Sequence, residues 1–186
     1  MSLTKEYENS TIEQVDIDKC YGCGCCAAIC KHEAIIMKID PHGFLRPYLN
    51  NDKCNQCGLC AKICPSMSSP QLFNVLSDEP FALWSKNTNI RLSTSSGGAA
   101  LSFGLTLNKL GFFILGAVFG RDFRRVHHIV AKSQQEILRT TGSKYIQSDI
   151  SNALREALEN KRKDYIVFGT PCQIAGIRNI VERMNL

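Results

Sequence analysis

The chain has 186 residues, 44% hydrophobic and 21% charged, a composition that fits one large or two small water-soluble domains. Its formal charge of +5 is spread over short runs such as Arg124-Arg125 and Lys161-Arg162-Lys163, which read as solvated ends of elements rather than a nucleic-acid-binding stripe, and the longest apolar run, 111–120, is too short for membrane insertion. The opening residues lack a basic stretch and an apolar core, so ten cysteines without a secretory leader point to a reducing, cytoplasmic compartment and to metal ligation.

In chain order, Gln14-Val-Asp-Ile-Asp18 alternates and is expected as a short strand. It leads into Cys20-Tyr-Gly-Cys23-Gly-Cys25-Cys26-Ala-Ala-Ile-Cys30. After Cys30, residues 34–39 read as a strand and 40–43 as a turn, with Pro41 fixing φ and Gly43 free to take positive φ. Residues 44–49 return as a second strand, with Pro47 marking an edge. The second cysteine run follows, Cys54-Asn-Gln-Cys57-Gly-Leu-Cys60-Ala-Lys-Ile-Cys64-Pro65.

Both runs contain C-x-x-C-x-x-C-x-x-x-C, offset by 34 residues, and the second ends in the proline of the bacterial ferredoxin signature. A cubane offers four iron corners, each needing a thiolate. Three cysteines two residues apart curl around one face. The fourth is carried away by a helix that starts near the third, toward the neighbouring cluster. The spacing therefore predicts two 4Fe–4S clusters with crossed ligands. Cys20, Cys23, Cys26 and Cys64 hold one, and Cys54, Cys57, Cys60 and Cys30 hold the other. Disulfides and zinc fit this packing of nine cysteines poorly, since zinc motifs pair C-x-x-C units at a longer gap. Lys31 stands where the first run would carry its proline, and Cys25 is an extra thiol, read as a small buried side chain. Eight ligand thiolates and two oxidised cores, at about +2 each, would bring the net charge to about +1.

Residues 67–80, rich in serine and proline, read as a linker between a 1–66 ferredoxin-type domain and an 81–186 domain. Beyond it, 81–84 is expected as a strand and 93–98 as a small-residue loop. An amphipathic helix over 99–110 follows, then strands over 112–119 and 125–131. Ser133 and Glu136 predict a capping box on a helix over 134–140. A loop at 142–148, a helix to about 161, a strand over 164–168, a tight turn at 169–172 and a final helix over 173–184 complete the chain. The alternation gives an α+β class overall, a two-cluster ferredoxin-type domain followed by a partial α/β domain.

The loops at Ser95-Ser96-Gly97-Gly98 and Gly169-Thr170-Pro171-Cys172 precede helices, where free N–H groups suit phosphate, though a glycine turn alone would look the same. Cys172 lies at a helix start, which can activate a thiol, and Lys144 can neutralise a phosphate or simply face solvent. His127 and His128 are adjacent on a strand and point to opposite faces.

Three segments, Arg91-Leu-Ser-Thr-Ser-Ser-Gly-Gly98, Gly142-Ser-Lys-Tyr-Ile-Gln-Ser-Asp149 and Phe168-Gly-Thr-Pro-Cys-Gln-Ile-Ala-Gly176, resemble the coenzyme F-420 hydrogenase/dehydrogenase beta-subunit family over about residues 80–186. The resemblance implies a flavin, FAD in the complete protein, that exchanges electrons with the clusters and with a redox partner protein or a flavin or deazaflavin small molecule. It carries flavin-site candidacy to Ser95, Ser96, Gly97, Gly98, Lys144, Tyr145, Thr170, Pro171 and Cys172, without assigning a catalytic residue. Family members continue past this point, so 81–186 is expected to be the N-terminal part of that module. The alternative is a non-catalytic ferredoxin-like electron carrier or docking module.

Overall fold

The computed structural model describes residues 11–67, 81–160 and 164–185. The chain start, most of the expected linker and the 161–163 basic run lie outside the described residues.

Two helical turns open the described chain, Ile12–Gln14 and Ile17–Lys19. The strand expected over 14–18 is therefore not formed. The Asp16 carboxylate accepts the Asp18 N–H at 3.1 Å, and this local cap outcompetes extension. Helix α1 (Cys25–Ile29) follows, then strands β1 (Ile35–Ile39) and β2 (Leu45–Leu49), and helix α2 (Leu59–Lys62). β1 and β2 form an antiparallel hairpin, with Ile35 opposite Leu49 and Met37 opposite Pro47. The Asp40 carboxylate closes the turn by accepting the N–H groups of His42 and Phe44, each at 2.9 Å, and Gly43 takes φ +86°.

The second half contains α3 (Thr88–Leu92), α4 (Ala99–Lys109), β3 (Phe113–Phe119), β4 (Val126–Ala131), α5 (Gln134–Arg139), β5 (Ser148–Asp149), α6 (Ser151–Glu159), β6 (Tyr165–Val167) and α7 (Pro171–Met184). The strand expected over 81–84 is absent. Phe81, Leu83 and Trp84 are exposed and lack a sheet partner, and the Ser85 N–H donates to the Gly97 carbonyl at 2.6 Å. Helix α3 was not expected. Its signal is Asn87, whose side chain caps the N–H groups of Asn89 and Ile90. The Ser133–Glu136 capping box forms as its spacing predicts.

The sheet order is β5-β4-β3-β6, with β3 and β4 antiparallel and both outer pairs parallel. β3 is apolar throughout because both its faces are covered. Ile114 joins Leu101, Ala131 and Ile137 beneath α4 and α5. Leu115 points the other way, into a larger core with Val130, Ile150, Ala153, Leu154 and Ile180. That larger core also contains Cys25, Cys26, Ala27, Ala28 and Ile29 of α1. The cysteine-rich half and the α/β half therefore share one hydrophobic core, and α1 is the wedge between them. Among the described residues no helix is long and apolar enough to cross a membrane.

Candidate metal centres and an adjoining cavity

The 34-residue repeat of the cysteine runs is also a repeat of backbone conformation. Gly22 (φ +66°) matches Gln56 (φ +57°), and Gly24 (φ +78°) matches Gly58 (φ +73°). Gly24 and Gly58 are the residues from which α1 and α2 start, and as glycines they take the left-handed turn without strain from a Cβ. The N–H two residues after the first cysteine donates to that cysteine's sulfur in both loops, Gly22 to Cys20 and Gln56 to Cys54, each at 3.4 Å. The Ala34 N–H donates to the Cys30 sulfur in the same way, at 3.4 Å.

The sulfurs fall into two groups. Cys20, Cys23, Cys26 and Cys64 line one narrow cavity with Ile12, Met37 and Ile63. Cys30, Cys54, Cys57 and Cys60 line a second, of about 360 Å³, with Ile29, Ile35, Leu49 and Leu59. Each group thus takes three cysteines from one run and the fourth from the other. Burial raises the Cys26 thiol well above its ordinary range, and the nearby Cys23, Cys64 and Cys20 push in the same direction. Burial likewise raises Cys60 and Cys64. As free thiols these groups are held neutral, and metal coordination would take their protons. Among the described residues no three side chains converge tightly enough for a single metal ion, whereas a cubane spreads its four thiolates over four corners. Four sulfurs per cavity, apolar walls and N–H donors aimed at sulfur fit such a cluster. Cys57 is exposed, while Cys26, Cys60 and Cys64 are buried.

The three glycine-bearing loops of the second half meet around a cavity of about 690 Å³. Ser95, Ser96, Gly98, Lys144 and Thr170 line it, together with Ala99, His128, Ser148, Gly169 and Gln173. The N-termini of α4 and α7 both open onto it, neither has an acidic residue in its first turn, and no carboxylate is among the lining side chains. The Ser143 N–H donates to the Ser95 hydroxyl at 2.9 Å, which joins two of the loops. The Lys144 ammonium donates to the carbonyls of Thr140 and Thr141 at the end of α5, and burial holds it below its usual range.

The other candidates stand elsewhere. The Tyr145 side chain is 93% exposed. A Cβ at Gly97 would lie 2.6 Å from the Leu83 carbonyl oxygen, so that glycine serves backbone packing. Pro171 occupies the first turn of α7, and the Cys172 sulfur lies 3.2 Å from the Thr170 hydroxyl, both outside the cavity lining.

Two residues on the cavity wall were missed as candidates. His128 is buried, and its Nε2 lies 3.0 Å from the Phe168 carbonyl, which can only accept. Nε2 therefore carries the proton, and Nδ1 accepts from the Ser148 hydroxyl at 3.0 Å. Gln173 is also buried. Its Oε1 accepts the Thr170 N–H at 2.9 Å, and its Nε2 donates to the Ser148 carbonyl at 3.0 Å. The available signal was the Thr170-x-x-Gln173 spacing of a helix cap.

The first half thus defines an iron–sulfur domain of ferredoxin type, with an electron-transfer role. Residues 19–68 match the family model described as a 4Fe-4S dicluster domain. Comparison with curated proteins found no match.

Proposed function

We propose that the chain is an iron–sulfur oxidoreductase component that passes electrons between two clusters and a flavin, with a deazaflavin of the F-420 type or a redox protein as the onward partner. One observation carries the flavin part. Two helix N-termini and Lys144 converge on a single carboxylate-free cavity, built by the three segments that resemble the F-420 hydrogenase/dehydrogenase beta-subunit family. Such a site favours the phosphates of a dinucleotide. In this reading Cys20, Cys23, Cys26 and Cys64 hold the first cluster, and Cys30, Cys54, Cys57 and Cys60 the second. Ser95, Ser96, Gly98, Lys144 and Thr170 hold the flavin phosphates. The flavin, when bound, supplies the conversion between single electrons and a hydride equivalent. The chain's own residues supply binding, orientation and shielding.

The exposure of Cys57 favours a second reading, a ferredoxin-like carrier whose second cluster meets a protein partner at the surface. Anaerobic titration of the iron-loaded chain with FAD separates the two. Flavin fluorescence should quench at one FAD per chain, and Lys144→Ala should weaken binding about tenfold, or ~1.4 kcal/mol. No uptake by the wild-type chain would end the flavin reading and leave the carrier.

A further inference from the structure

Cys25 is the thiol that the ligand spacing leaves over, and it has no exposed surface. It opens α1, one residue after the left-handed Gly24. Its thiol donates to the backbone carbonyl of Gln173 at 3.6 Å, a contact across 148 residues of sequence. Gly176, further along α7, leaves room for both sulfurs. A Cβ there would sit 2.6 Å from the Cys25 sulfur and 3.8 Å from that of Cys23. Helix α7 therefore presses its backbone onto the first cysteine loop at Gly176, where a side chain could not fit.

We propose that Cys25 is a positioning residue of the first cysteine group. Its thiol, held by Gly176 between the Cys23 sulfur and the Gln173 carbonyl, raises the reduction potential of the cluster Cys23 would hold and links that cluster to the wall of the large cavity. The inference rests on Cys23 as a ligand and is independent of flavin. A donor to a ligand sulfur stabilises the extra negative charge of the reduced cluster, and hydrogen bonds to sulfur are among the levers that set such potentials. A bound Cys23 thiolate is the stronger acceptor of the two, so the single thiol proton turns toward it. The other acceptor belongs to Gln173, whose side chain spans Thr170 and Ser148 on the cavity wall.

The test is an EPR-monitored redox titration of the full, iron-loaded chain without flavin. In Cys25→Ala the reduced-to-oxidised ratio of the first cluster at a fixed potential should fall about tenfold, a midpoint about 59 mV more negative, with the second cluster unmoved. Cys25→Ser keeps a donor and should hold the midpoint near the wild-type value. Gly176→Ala displaces the thiol without removing it and should shift the first cluster alone. An unchanged first midpoint in Cys25→Ala, or equal shifts in Cys25→Ala and Cys25→Ser, would overturn the proposal. If Cys25→Ala fails to hold iron, Gly176→Ala decides, since an unmoved first midpoint there is equally fatal. Cys23→Ser checks the ligand assignment separately. It must remove the first cluster only, and retention of both clusters would remove the premise.

Discussion

The Arg155 guanidinium donates through Nη2 to the Ala27 carbonyl at 2.6 Å, joining α6 to α1. Its Nη1 pairs with Glu33 at 3.2 Å. Ala27 lies in a helix of five residues, too short to satisfy its own last carbonyls, so a cation at that end replaces missing backbone partners. Arg155→Ala should destabilise the iron-loaded chain by about 1–3 kcal/mol, because a carbonyl in the shared core loses its donor. Glu33→Gln should cost less than about 1 kcal/mol, since that carboxylate is largely exposed. Denaturant midpoints of the two variants check the ranking, and equal losses would mean that the ion pair, not the carbonyl, matters.

The repeat-related residues Gly22 and Gln56 share a left-handed backbone but differ in surroundings. A Cβ at Gly22 would lie 2.4 Å from the Leu45 carbonyl oxygen and 2.6 Å from Gln147 Nε2. Gln147 itself bridges the Leu45 N–H and the Tyr21 carbonyl, so the loop has no room to yield. Gly22→Ala should therefore cost more than the roughly 1–2 kcal/mol of left-handed strain and should deplete the first cluster preferentially. Gln56→Gly relieves the same strain on the exposed loop and should leave stability within about 1 kcal/mol of wild type. Iron content and thermal unfolding of both variants give the answer.

The cysteine spacing made the two sulfur groups legible because ligand geometry is local and repeats at a fixed offset. The helices over 99–109 and 134–139 and the β3 strand were legible for a similar reason, since their periodicity and caps lie within the segment itself. What could not be read was long-range. Nothing local says that α1 packs against α6, so the single shared core was hidden behind an apparent linker. The 81–84 segment has strand composition, but β3 already pairs with β4 and β6 on its two edges. Among the flavin candidates, the motifs picked out loops that meet at one cavity without saying which side chains turn inward. Tyr145 turns out, while His128, placed on its strand but not in a site, turns in.

The crossing itself can be tested at one residue from each run. Cys64→Ser should abolish the signal of the cluster assigned to Cys20, Cys23 and Cys26, although Cys64 belongs to the second run. Cys30→Ser should do the reverse. Iron should fall from about eight to about four per chain in each variant. Loss of only the second-run cluster in Cys64→Ser would reverse the assignment.

His128 gives the cavity a pH dependence whose sign follows from its bonds. Burial lowers its pKa from 6.5, and His127 and Lys144 push the same way, while the Phe168 carbonyl and Asp149 oppose them. The folded ring is therefore neutral where the unfolded ring begins to charge. Its contribution to stability is fully present above about pH 6.5 and is lost as pH falls through that value toward the lower folded pKa. Protonating Nδ1 would also displace the Ser148 hydroxyl proton that now points at it. Urea midpoints of the iron-loaded chain at pH 7.5 and 5.5, compared with those of His128→Gln, isolate this contribution from any acid lability the two proteins share. The wild type should lose more stability than the variant over that interval. Equal losses would mean that His128 charges freely in the folded chain, and that the Phe168 and Ser148 contacts do not hold it neutral.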